Sequence, residues 1–174
     1  VKIEKNKILL GDCMDLMAEM PDNYIDLAIV DPPYGIFNSF GNKFGYKDNT
    51  YKTSEMIEKW DFVPDEIYFD ELFRISKNQI IWGMQYFNKW LPTFSQLIVW
   101  DKKTGKSPRA DGECAYCSIK GTTRIYKQLW SGAFIEDEKR EKRIHPTQKP
   151  IKLYRWILQN YAKPGLSQVQ HREI

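Results

Sequence analysis

The chain reads as an α/β protein in which a parallel sheet carries helices on its faces. Three observations point there. Short β-rich apolar runs at 27–30, 80–82 and 97–100 alternate with stretches of helical apolar periodicity from Lys7 to Trp100. Leu27-Ala28-Ile29-Val30 is apolar at every position, the pattern of a strand buried on both faces. That run ends at Asp31-Pro32-Pro33-Tyr34-Gly35, and neither proline can donate to a ladder, so Asp31 closes the strand. A carboxylate at the carboxyl end of a buried strand stands where open α/β sheets bind ligands. At 174 residues the chain fits one domain.

Taken in order, Lys7-Ile8-Leu9-Leu10 reads as a short strand ending at Gly11-Asp12. Cys13, Leu16, Met17 and Met20 then lie at i, i+3, i+4 and i+7, a helix with Asp12 as its N-cap and Pro21 as its stop. After the strand at 27–31, residues 36–51 lack periodicity and form a long loop. There Phe37, Phe40, Phe44, Tyr46 and Tyr51 alternate with Lys43, Lys47 and Lys52. Aromatics interleaved with cations suit a nucleic-acid contact; the same rings also serve to pack a surface loop.

Pro64 introduces a helix with Tyr68, Leu72 and Ile75 on one face. Gln79-Ile80-Ile81-Trp82-Gly83 is a strand. A short helix aligning Met84, Phe87 and Leu91 follows it, and then a third buried strand at 97–102. Residues 113–119 and 122–130 read as a β-hairpin turning at Lys120-Gly121. Ile151, Tyr154, Leu158 and Tyr161 mark a last helix, entered through His145-Pro146-Thr147-Gln148-Lys149-Pro150. Residues 136–143 mix acids and bases as a solvated turn.

Net charge is +3, which permits nucleic-acid binding without demanding it. Lys102, Lys103, Lys106 and Arg109 form a basic stretch with no acid among them, either a solvated loop or a contact to phosphate. No apolar run reaches the length of a membrane span, and three cysteines fit a reducing cytoplasm. Cys114 and Cys117 would point to opposite faces of one strand, so no zinc site is expected.

The chemistry centres on Asp31. An exocyclic amine on a nucleobase is poorly nucleophilic because its lone pair is delocalised into the ring. Two acceptors on its two N–H bonds favour a tetrahedral nitrogen and return density to the lone pair. Asp31 supplies one acceptor and the Pro32 carbonyl the other, while Pro32 and Pro33 bring no competing N–H. Tyr34 offers a face for stacking an extruded base, worth roughly 1–3 kcal/mol.

Asp31-Pro32-Pro33-Tyr34 resembles motif IV of the amino-group DNA methyltransferases that use S-adenosylmethionine. The block at 145–150 resembles the segment before motif X of the circularly permuted β-group. With 80–83, 98–102 and 129–132, the chain is similar to phage and prophage adenine methyltransferases over about residues 5 to 165. The resemblance implies a Rossmann-like methyltransferase sheet with helices on both faces. It also implies transfer of a methyl group to adenine N6 of double-stranded DNA, with cytosine N4 as the alternative. A cofactor site would lie at Asp12, His145 and Lys149, and DNA contacts at Lys43, Lys47, Lys102, Lys103, Lys106 and Arg109. No metal is needed.

The family would continue from Gly165 into an apolar strand and a glycine-rich loop, motif I. Residues 166–174 contain neither glycine nor an apolar run and read as a non-homologous tail after a 1–165 catalytic-motif part. Three expectations follow for this chain. The sheet lacks the motif I strand and its successor, and the edge beside Asp31 is unpaired. Activity and cofactor binding are weak or lost in the chain alone, leaving at the limit a non-catalytic DNA-binding remnant. A partner chain could supply the missing half.

Overall fold

The computed structural model describes residues 7–36, 61–105, 110–131, 134–135, 148–163 and 168–172. Its elements are α1 (Cys13–Ala18), β1 (Leu27–Asp31), α2 (Glu66–Ile75), β2 (Gln79–Trp82), α3 (Met84–Phe87), β3 (Gln96–Asp101), β4 (Gly112–Cys117), β5 (Arg124–Lys127), β6 (Trp130–Ser131), β7 (Phe134–Ile135), α4 (Ile151–Tyr161) and β8 (Gln168–Arg172). Among the described residues six strands form one sheet in the order β5-β3-β4-β2-β1-β8, and β6 pairs with β7 apart from it. β8, β1 and β2 are mutually parallel, as are β3 and β5, while β4 lies antiparallel between β2 and β3.

The alternation of side chains along the central strands divides the core in two. Ala28 and Val30 of β1 and Ile81 of β2 face α1, α2 and α3, where they meet Met17, Phe69, Leu72, Ile75 and Phe87. Leu27, Ile29, Ile80, Trp82, Ile98 and Trp100 face the other way, onto Leu153 and Ile157 of α4. Helices therefore flank both faces, as the apolar runs of β1 and β2 require. Asp12 caps α1 by accepting from the Met14 N–H at 2.8 Å, as its place before the apolar stripe predicts. Arg74 of α2 closes the other end of α1, donating to the Met17 and Met20 carbonyls at 2.8 Å.

Five expectations are corrected. Residues 113–119 and 122–130 do not form a hairpin. β4 enters the sheet between β2 and β3, and β5 lies on the far side of β3. A hairpin would give β4 one ladder, whereas its inserted place gives it two and buries Ala115 and Cys117 completely. The sheet is consequently mixed rather than parallel. β3 is buried on one face only, with Leu97 and Val99 partly exposed on the other. The buried face of α4 is Leu153 and Ile157, while Ile151 and Leu158 are exposed; the predicted stripe sits one position round the helix.

The fifth correction concerns the edges. Lys7-Ile8-Leu9-Leu10 forms no strand, and Ile8 and Leu10 are more than nine-tenths exposed. The inner edge of β1 is not open: β8 pairs with it in parallel, from Leu27 with Gln168 to Asp31 with Arg172. The bonds of a ladder are made by main chain, so the composition of 166–174 does not prevent an extended segment from satisfying that edge.

Candidate active site

The carboxyl ends of β1, β2 and β3 open on one rim of the sheet. Because β4 runs the other way, it contributes its first residues to that same rim, with Glu113 opposite Trp100 in register. β1 ends in Asp31, followed by buried Pro32 and Pro33 in trans linkage and then by Tyr34. Gly35 turns the chain with φ +66°, its N–H donating to Asp61 Oδ1 at 2.9 Å, and a Cβ there would lie 2.6 Å from Val63 Cγ2. β2 ends in Trp82 and Gly83. Gly83 has φ +74°, and a Cβ there would stand 2.2 Å from the Tyr34 ring. Only glycine both takes that backbone conformation and leaves the ring its place.

Tyr34 stacks on Tyr86 with centroids 4.9 Å apart and meets Phe87 edge-on at 6.0 Å. Its hydroxyl donates to Asp31 Oδ1 at 2.8 Å. The same oxygen receives Lys149 Nζ at 2.5 Å, and that ammonium also lies 3.1 Å from the Tyr34 hydroxyl and 3.0 Å from Glu113 Oε2. The other oxygen of Glu113 is paired with Lys102, at the end of β3. Lys149 is 4% exposed and stands over the Tyr34 and Trp82 rings at 5.4 and 5.5 Å. Two carboxylates, two ammonium groups and a phenol thus share one buried rim.

Burial alone would lower the pKa of Lys149, but the charges of Asp31 and Glu113 outweigh it and hold the ammonium well above its ordinary value. Burial likewise opposes ionisation of Glu113, yet Lys149 and Lys102 bring its pKa down to about 2. Burial raises the Tyr34 phenol well above its usual value, against the pull of Lys149, so it stays protonated as a donor.

The structure gathers Asp31, Pro32, Pro33, Tyr34 and Lys149, but it pairs Lys149 with Asp31 and Glu113. Asp12 and His145 are the other residues assigned to the cofactor. Asp12 is exposed and committed to its cap, and His145 lies outside the described residues. Of the basic stretch, Lys102 is spent on Glu113 and stacks over Trp100, and Lys103 is exposed. Lys43, Lys47, Lys106 and Arg109 lie outside the described residues, as does the aromatic loop after Ile36. Glu113, Trp82, Gly83 and Tyr86 border this cluster and were not among the residues singled out for the site. The available signals were an acid heading an otherwise apolar strand and a glycine directly after a buried one. Among the described residues no three His, Cys, Asp or Glu side chains gather as a metal site, and no helix is long and apolar enough to cross a membrane.

No protein-family model matches the chain. Over 92% of its length it is similar to the type II methyltransferase M.HinfI of Haemophilus influenzae, 26% identical over 210 residues. It is also similar to M.BglII of Bacillus subtilis, 23% identical over 92% of this chain, and to M.HpaI of Haemophilus parainfluenzae, 20% identical over 91%. The chain spans 56% to 60% of the length of these relatives. Sequence similarity along nearly the whole chain, together with a mixed α/β sheet flanked by helices, makes this protein a distant homologue of the type II DNA methyltransferases.

Proposed function

We propose that residues 1–165 carry the target-base part of an S-adenosylmethionine-dependent DNA methyltransferase acting on adenine N6. The observation that supports this most is Asp31 itself. It is a largely buried carboxylate at the carboxyl end of a central strand, followed by two prolines that add no N–H. Asp31 and the Pro32 carbonyl accept the two N–H bonds of the amine, Pro33 keeps the turn free of donors, and Tyr34 stacks on the base. That ring already stacks on Tyr86, so the base shares or takes the place of Tyr86. Lys43, Lys47, Lys103, Lys106 and Arg109 are assigned to DNA phosphates. S-adenosylmethionine, when bound, supplies an already activated methyl group; its seat is assigned to the region of Asp12 and His145 and to a part beyond the described residues. Cytosine N4 is the alternative target, because the same acceptors suit either amine.

The test is tritiated-methyl transfer to DNA free of methylated bases. It is run with this chain and with a version in which the cofactor-binding half of a permuted relative follows Gly165. Label is expected in N6-methyladenine by mass spectrometry of hydrolysed DNA, and Asp31→Ala is expected to abolish it while donor binding persists. Label in N4-methylcytosine would move the substrate to the other base. Near-wild-type turnover by Asp31→Ala would overturn the assignment.

A further inference from the structure

The site just described is occupied by the protein's own cation. Lys149 Nζ sits 2.5 Å from Asp31 Oδ1, on the oxygen that also receives the Tyr34 hydroxyl. A neutral target amine must compete with a buried ammonium for that carboxylate. Displacing the ammonium into nothing would leave an unpaired buried charge, a cost of several kcal/mol that a single amine hydrogen bond does not offset.

Glu113 removes this difficulty. Its Oε1 is held by Lys102, which fixes the carboxylate in place. Its Oε2 is buried and already 3.0 Å from Lys149 Nζ, so one ammonium, with bonds to Asp31 and Tyr34 and a third N–H to spare, bridges the two carboxylates. Glu113 therefore needs almost no movement to keep the ammonium paired once Asp31 is given up.

We propose that Glu113 is a positioning residue, its Oε2 taking over the Lys149 ammonium when a target amine takes Asp31. Lys149 keeps a carboxylate partner throughout, no charge is left alone, and Asp31 is freed as an acceptor without leaving its buried place. The exchange moves hydrogen bonds only and transfers no proton. It rests on the amine-gripping role of Asp31 proposed above.

The test compares adenosine with purine riboside, which lacks the exocyclic amine. Nucleoside affinity is measured by titration of the full chain, and the side-chain 15N resonance of Lys149 is followed by NMR. Wild type is expected to prefer adenosine by about tenfold, the factor expected of one charge-assisted hydrogen bond. Adenosine, and not purine riboside, should move the Lys149 resonance. Glu113→Gln should lose that preference, and Glu113→Asp, which keeps the charge but withdraws the acceptor, should reduce it. Glu113→Gln combined with Lys149→Met should regain it, since no ammonium then holds Asp31. A purely structural role for Glu113 would lower both affinities together and leave their ratio unchanged. Glu113→Gln or Glu113→Asp with the wild-type ratio would overturn the proposal while leaving the Asp31 reading intact. Absence of any preference in wild type would overturn both.

Discussion

Replacing Lys149 with Met removes one charge from the most enclosed ion cluster among the described residues. The ammonium is 4% exposed and faces Asp31 at 2.5 Å and Glu113 at 3.0 Å, with side chains 10% and 18% exposed. Met fills a similar volume, so the packing loss is small and the effect is electrostatic. Glu113 keeps Lys102, but among the described residues Asp31 is left with the Tyr34 hydroxyl alone. Breaking a buried pair by removing one partner costs about 3–5 kcal/mol. The net depression of Glu113 from its ordinary 4.5 to about 2, left after burial has opposed it, points the same way: about 3 kcal/mol in favour of the ionised form, held by Lys149 and Lys102 together. For a domain of this size such a loss lowers the melting temperature by about 6–20 °C. Urea denaturation and calorimetry at neutral pH read it directly. The control is Lys77→Met, which breaks the Lys77–Asp26 pair at 2.7 Å with Lys77 53% exposed, and should cost no more than about 1 kcal/mol. If the two variants lose the same small amount, the buried-cluster reasoning is wrong.

Three further outcomes are expected. Glu113, with its depressed pKa, contributes stability that is complete above about 4.5 and lost as pH falls toward about 2. Lys149, with its raised pKa, contributes stability complete below its ordinary value and lost only as pH rises through the raised one. Acid titration of stability should therefore lose its steep part below pH 4.5 in Glu113→Gln. Gly83→Ala combines φ +74° with a Cβ 2.2 Å from the Tyr34 ring and should cost at least about 1–3 kcal/mol. An unchanged urea midpoint and near-ultraviolet dichroism there would contradict the close approach. Ile157→Ala should cost about 2–5 kcal/mol and Leu158→Ala less than about 1, and the reverse order would place the other face of α4 against the sheet.

Local signals carried much of this. Consecutive apolar residues in β1, the proline stop after Asp31, the cap at Asp12 and the α2 stripe are written within a few residues of one another, and each appears where read. What was not legible depends on contacts distant in sequence. Nothing near 112–117 says that this strand will slip between two earlier ones rather than fold back on its neighbour. The ion pairs of Lys149 were not legible for the same reason. Its side chain is defined by Asp31, more than a hundred residues before it, and by an acid that the insertion of β4 brings alongside. Tyr154 sat on the predicted face of α4 and is partly buried, but the helix turns on Leu153 and Ile157 because the sheet rather than the helix sets the deepest position.

The pairing of β1 with β8 has a consequence in time. Leu27 meets Gln168, so the edge of the strand that ends in Asp31 waits for about 140 further residues to be made. At roughly 5–20 residues per second that is about 7 to 28 s on the ribosome. The other edge of β1 is served much sooner, by β2. For those seconds a nascent chain presents a buried-type strand, apolar on both faces, with one row of main-chain groups unanswered. Slowing synthesis between β2 and β8 should raise the share of chains lost to aggregation, and faster completion should lower it.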